Sequence, residues 1–110
     1  MPDRKTDLLQ GTLDLLILKV LTSGPSHGWG LAQHIEQRSG QVFLVNQGSL
    51  YPALHRLEKE GLIRAEWGAS ENNRRARIYE ITKLGRRQLE DETAAWERAS
   101  LAITRVLSGA

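Results

Sequence analysis

The chain has no cysteine, which excludes disulfides, thiolate metal sites and cysteine nucleophiles together and makes a reducing cytoplasm its natural setting. Long hydrophobic runs are missing too. The longest, Leu13 to Leu21, is broken by Asp14 and Lys19 and falls short of the about 20 residues that span a bilayer. No cleavage site with small residues follows it, so a signal peptide is not expected and a soluble, cytoplasmic protein is. The three histidines, His27, His34 and His55, lack the carboxylate or thiol company that a zinc site needs. A Gly-rich phosphate loop is absent, as is any recognisable grouping of serine, histidine and acid. Neither a cofactor nor enzymatic activity is therefore expected. Net charge is also small, at +2, but it is unevenly placed. Arg74, Arg75, Arg77, Lys83, Arg86 and Arg87 crowd one stretch, and Glu90, Asp91, Glu92 and Glu97 follow it.

What is present fits one modest core in 110 residues, with 40% hydrophobic and 25% charged residues. Met1 to Asp7 reads as a mobile polar arm. From Thr12 to about Thr22, Leu13, Leu16, Ile17 and Val20 make one helical face and Leu15, Leu18 and Leu21 a second, which predicts a central core helix. Ser23-Gly24-Pro25-Ser26 breaks it. Ser26 is placed to cap a second helix, His27 to about Arg38, whose inner stripe is Gly28, Leu31, Ala32 and Ile35.

A third helix is predicted over Gln47 to Gly61, entered at Gly48 and Ser49 with Ser49 as the cap, Pro52 in its first turn and Gly61 as the stop. Leu50, Ala53, Leu54 and Leu57 recur at helical spacing and anchor it, while Pro52, His55 and Lys59 lie opposite, with Tyr51 and Arg56 on the flanks. A polar, cationic outer face of this kind suits a DNA groove. It equally suits an ordinary surface helix.

After Gly61 the period changes to two. Ile63, Ala65 and Trp67 alternate with charged residues, a polar loop runs from Gly68 to Ala76, and Arg77, Tyr79 and Ile81 alternate again. This predicts a hairpin with a basic tip, its inner face of Trp67, Tyr79 and Ile81 packed on the helices. Thr82 then caps a final helix. In it Leu89, Trp96 and Ile103 recur every seven residues, with Leu107 four beyond Ile103, a heptad seam that predicts a homodimer. The fold class expected is mainly α with a small β-hairpin: a winged helix-turn-helix domain over 1–82 and a dimerisation helix over 83–110.

The stretches Leu9-Gln10-Gly11-Thr12-Leu13-Asp14-Leu15-Leu16-Ile17-Leu18, Gly24-Pro25-Ser26-His27-Gly28, Asn46 through Glu58 (NQGSLYPALHRLE) and Tyr79-Glu80-Ile81-Thr82-Lys83-Leu84-Gly85 together resemble the PadR family of bacterial winged helix-turn-helix transcriptional regulators, in the short form with a single C-terminal helix. The likeness runs from about Leu8 to Leu107, in order and spacing. It implies a homodimer held by the C-terminal helix that binds a roughly palindromic operator in double-stranded DNA, usually as a repressor. Trp29 stands where the family commonly has tyrosine, and its indole N–H is able to replace a hydroxyl contact to phosphate.

With that resemblance, the expected DNA-binding residues are Gln47, Ser49, Tyr51, Pro52, His55 and Arg56 of the third helix and Asn73, Arg74, Arg75 and Arg77 of the wing, 70–76 and its flank. Several have plainer readings. Tyr51 also suits a rim position against Gln47 or the second helix, Ser49 a pure cap, Arg56 a pair with Glu60, and Arg77 a pair with Glu66 across the hairpin. Trp96, at the middle of the seam with Leu89, Ile103 and Leu107, either joins two subunits or flanks a cavity for a small aromatic effector, as relatives that sense drugs or phenolic acids suggest. The rival reading of the whole is a winged-helix module that binds an acidic protein partner and reads no DNA.

Overall fold

The computed structural model describes residues 3–69 and 72–109, with side chains from residue 12 onward. Its elements run α1 (Asp3–Leu21), β1 (Ser26–His27), α2 (Gly28–Arg38), α3 (Gln47–Lys59), β2 (Ile63–Ala69), β3 (Arg75–Ile81) and α4 (Lys83–Leu107). Helix α1 is the hub, as its two apolar faces predict. Leu13, Ile17, Leu18, Val20 and Leu21 are buried, and the helix touches α2, α3, α4 and β3. It begins earlier than expected. Asp3 to Asp7 is helical backbone and not an arm; no proline follows Pro2 there, and of its residues Arg4 and Lys5 favour helix. Met1 and Pro2 lie outside the described residues.

The turn after α1 leads into a strand that periodicity does not reveal. Ser26 and His27 pair with Tyr79 and Ile78, so the hairpin gains a third strand in the order β1-β3-β2. The predicted capping role of Ser26 passes to its neighbour: His27 Nδ1 accepts from the Gly30 backbone N–H at 3.0 Å. Ser26 is committed to the sheet, and its hydroxyl donates to the His27 carbonyl at 3.1 Å.

Helix α3 buries the stripe expected of it, Leu50, Ala53, Leu54 and Leu57. Its cap lies three residues earlier than expected. Asn46, not Ser49, is the cap, its Oδ1 accepting from the Ser49 N–H at 2.9 Å. Pro52 therefore lies beyond the first turn, and its missing N–H leaves the exposed Gly48 carbonyl without a helical donor. Gly61, at φ 78°, carries the chain out of the helix as predicted.

The hairpin is longer than expected, paired from Ile63↔Ile81 to Ala69↔Arg75. The predicted loop therefore shrinks, and its residues Ser70 and Glu71 lie outside the described residues. Trp67 corrects the reading of the inner face. It shares that face with Ile63 and Ala65, but it is 56% exposed while Tyr79 and Ile81 are buried. Each two-residue step advances a strand by about 6.6 Å. Trp67 thus lies beyond the buried part of its strand, although Arg77 opposite it still bonds α3.

Thr82 caps α4 as predicted, its Oγ1 accepting from the Gly85 N–H at 3.0 Å. Gly85 is buried against the Leu62 carbonyl, where an added Cβ would come within 2.1 Å. Leu89, expected in the seam between subunits, is buried in the chain's own core. From Trp96 onward α4 turns its apolar residues outward: Trp96, Leu101, Ile103, Val106 and Leu107 are all at least half exposed. No described helix is long and apolar enough to cross a membrane.

Candidate nucleic-acid interface

Three elements meet around the outer face of α3. The N-terminus of α2 is brought in by the β1–β3 pairing, α3 is held from below by its leucine stripe, and β3 lies at its side. Between them runs an open groove of about 600 Å³ lined by His27, Trp29, Tyr51, Arg74, Arg75 and Arg77, among others. It adjoins a second hollow, of about 870 Å³, lined by Tyr51, His55, Glu58, Lys59, Arg77 and Tyr79. Tyr51, Arg77 and Tyr79 belong to both. Of the residues expected from the sequence, the structure brings Tyr51, His55, Arg74, Arg75 and Arg77 to this surface. Gln47, Ser49, Pro52 and Arg56 do not line either hollow; Gln47, Pro52 and Arg56 are exposed and Ser49 is half-buried.

Tyr51 takes the rim position against the second helix that its plainer reading gave, and part of it stays open to solvent. Its ring lies over α2, so close that a Cβ on Gly28 would meet the phenol oxygen at 2.8 Å, yet it stays 44% exposed toward the groove. A glycine at this point of α2 is what lets the ring lie there. Asn73 is exposed at the wing tip with φ 59°, a backbone state that asparagine tolerates better than most residues, so its first duty is the turn.

The ion pairs differ from those expected. Arg56 donates to Asp14 of α1 and not to Glu60, tying α3 to the hub helix. Arg77 bonds Glu58 of α3 at 2.7 Å and not Glu66, which faces Ile78 across the ladder. The cross-strand pair is instead Arg64 with Glu80, at 2.8 Å in direct register. The Glu80 carboxylate, by hydrogen bond and charge, raises the Arg64 pKa above its ordinary value. Burial raises that of the Tyr79 phenol, against the opposing influence of the Arg77 guanidinium. Neither group titrates near neutrality, so Arg64 stays charged and the Tyr79 phenol stays neutral at physiological pH.

His27 went unread in the sequence as a member of this surface, and so did the cation contacts of Trp67. His27 stacks on Trp29, with ring centres 6.1 Å apart and planes 15° from parallel. Trp67 carries Arg75 at 4.4 Å and Arg77 at 5.6 Å from its ring centre. The signal for the latter was the two-residue spacing of Arg75, Arg77 and Tyr79 on one strand face, which puts cations beside any aromatic of the opposite strand.

A concave, cation-lined surface with hydrogen-bonding side chains on a projecting helix suits an anionic, grooved partner. Helix, turn, second helix, exposed third helix and flanking hairpin define a winged helix-turn-helix, a class of DNA-binding domain. The comparison with known families agrees: the model of the transcriptional regulator PadR-like family matches residues 17–91, and the chain belongs to that family. Among relatives, it is 35% identical over 89 residues to the transcriptional regulator Rv3488 of Mycobacterium tuberculosis, covering 81% of this chain and 79% of that one. A transcriptional regulator from Clostridium thermocellum superposes with a TM-score of 0.82 at 29% identity, over 90% of this chain and 96% of the other. A PadR-like transcriptional regulator from Bacillus cereus gives 0.77 at 30%, over 92% and 96%. The chain is thus a transcriptional regulator, and its family is one of regulators and not of enzymes.

Proposed function

We propose that the chain works as a homodimer that reads a roughly palindromic operator and represses transcription from it. The recognition helix α3 enters the major groove, and the wing, 70–76 with Arg77, meets the minor groove or its phosphates. The observation that carries this reading is the single groove to which α3, the start of α2 and the wing all contribute, with Arg74, Arg75 and Arg77 along one wall and Tyr51 on the other. Most of the exposed large apolar residues lie on α4, and the two that line the groove, Trp29 and Tyr51, each carry a hydrogen-bonding group, which favours DNA over an acidic protein as the partner of α3.

The same exposure supports dimerisation through 83–110, with Trp96, Ile103 and Leu107 in the seam and Leu89 rooted in the DNA-binding domain, 1–82. A hollow of about 310 Å³ lined by Thr12, Asp14, Leu15, Glu92, Ala95 and Trp96 suits one flat effector. Asp14 is paired with Arg56, so Glu92 is the carboxylate there that favours a planar cation, whose binding relieves repression. Quenching of tryptophan fluorescence by a planar cation, lost in Trp96→Leu, is the expected result.

The test of the main reading is a gel shift with DNA from upstream of the protein's own gene, repeated at rising salt. Binding should weaken steeply and log-linearly with salt as phosphate contacts are screened. No shift on any duplex at low salt would end the DNA reading.

A further inference from the structure

We infer that Trp67 is a positioning residue for DNA binding, and that it sets the guanidinium of Arg75 for phosphate contact; this rests on the DNA-binding reading above. Trp67 is more than half exposed, so the core does not account for a residue of its size there. Across the ladder it stands opposite Arg77, and Arg75 lies two residues further along the same strand face. The Arg75 guanidinium sits over the indole at 4.4 Å, a stacking contact that occupies its flat face. A guanidinium held in this way keeps its N–H edge free for oxygen ligands, and a rotamer fixed beforehand is not lost on binding.

The indole is itself held in relation to the recognition helix. Arg77, 5.6 Å from the ring centre, donates to Glu58 of α3 at 2.7 Å. Glu58, Arg77, Trp67 and Arg75 therefore form one line from the last turn of α3 out along the wing. Through it the outermost of these cations is placed relative to the helix that enters the groove.

The test is a double-mutant cycle on Trp67→Ala and Arg75→Ala, with Trp67→Phe alongside, measuring affinity for a random-sequence duplex of about 30 base pairs, long enough for several phosphate contacts per protomer. Loss of the ring should weaken binding by about twofold to twelvefold, the usual cost of ordering one long side chain on binding. Trp67→Phe should recover most of that loss, since a phenyl face also stacks a cation. In the Arg75→Ala background, removing Trp67 should change the affinity little. A structural role alone predicts multiplying losses in the double variant, and that result overturns the inference. So does a Trp67→Ala affinity equal to wild type. If wild type itself binds no duplex, the DNA-binding reading fails first and this inference with it. Melting of each variant is followed at the same protomer concentration, and Trp67→Phe keeps the proposal testable should Trp67→Ala fold poorly.

Discussion

Gly85→Ala tests whether the junction between the wing and α4 is as tightly made as the structure indicates. An added methyl would stand 2.1 Å from the Leu62 carbonyl oxygen and 2.8 Å from Ile81 Cγ1. The oxygen is backbone and cannot rotate away, so to regain ordinary contact at 3.4 Å the two elements must part by about 1.3 Å. That same oxygen accepts from the Thr82 N–H at 3.1 Å and from its hydroxyl at 3.0 Å. Parting the elements forfeits the backbone bond, at about 1 kcal/mol, while the hydroxyl keeps its shorter bond to the Gly61 carbonyl at 2.7 Å. The overpacking adds about 1–3 kcal/mol. Against this stands a gain of about 1 kcal/mol, because alanine favours helix over glycine. The net loss is about 1–3 kcal/mol, which for a chain of this size lowers the melting temperature by about 5–20 °C. Thermal unfolding followed by circular dichroism, at fixed protomer concentration because dimerisation would itself shift the midpoint, reads the effect. A melting temperature equal to or above wild type would refute the reasoning, since helix propensity would then have outweighed the contact.

Replacing Arg74 and Arg75 together by alanine should weaken binding to all sequences alike and lower the salt slope by about two; an unchanged slope removes the wing from the interface. Glu58→Gln breaks the Arg77 pair, but both side chains are about one-third exposed, so stability should fall by less than about 1 kcal/mol in a urea titration. Asp14→Asn should be similarly mild and should free Arg56, and a loss above about 2 kcal/mol would show that the α1–α3 tie is structural. Tyr79 supplies the pH prediction. Its folded pKa lies above the unfolded value, so its contribution to stability is fully present below about pH 10, where unfolded tyrosine begins to ionise, and is lost as pH rises through the folded pKa. Tyr79→Phe should flatten that alkaline decline, and an identical decline in the variant would assign it to other groups.

Much of this was legible because burial leaves a period in the sequence. The α3 stripe from Leu50 to Leu57, the two faces of α1 and the Thr82 cap each follow from spacing or from one residue's chemistry, and each is found. What escaped depends on where elements end in space. Trp67 has the right parity for the core, but parity does not say where along the strand burial ends. Ser26 and Asn46 show a related limit. Serine and asparagine both cap well, and only the path of the chain decides that His27 and Asn46 occupy the cap positions while Ser26 enters a sheet. Ion pairs escaped for a third reason. Arg56 and Arg77 each had a nearby acidic residue in sequence, but tertiary packing offered Asp14 and Glu58 in better places. The site followed the same division: the cations were visible as a cluster, whereas the groove that gathers Tyr51, His27 and the wing exists only once β1 joins the sheet.

The central claim is that two copies of α3 read one operator through a dimer. A hydroxyl-radical footprint on an operator selected from random DNA tests it most directly. The account predicts two protected half-sites of opposite orientation, with centres about 34–36 Å, or a multiple of that distance, apart along the duplex. A single protected patch without two-fold symmetry, or no sequence enriched over random DNA, would contradict it.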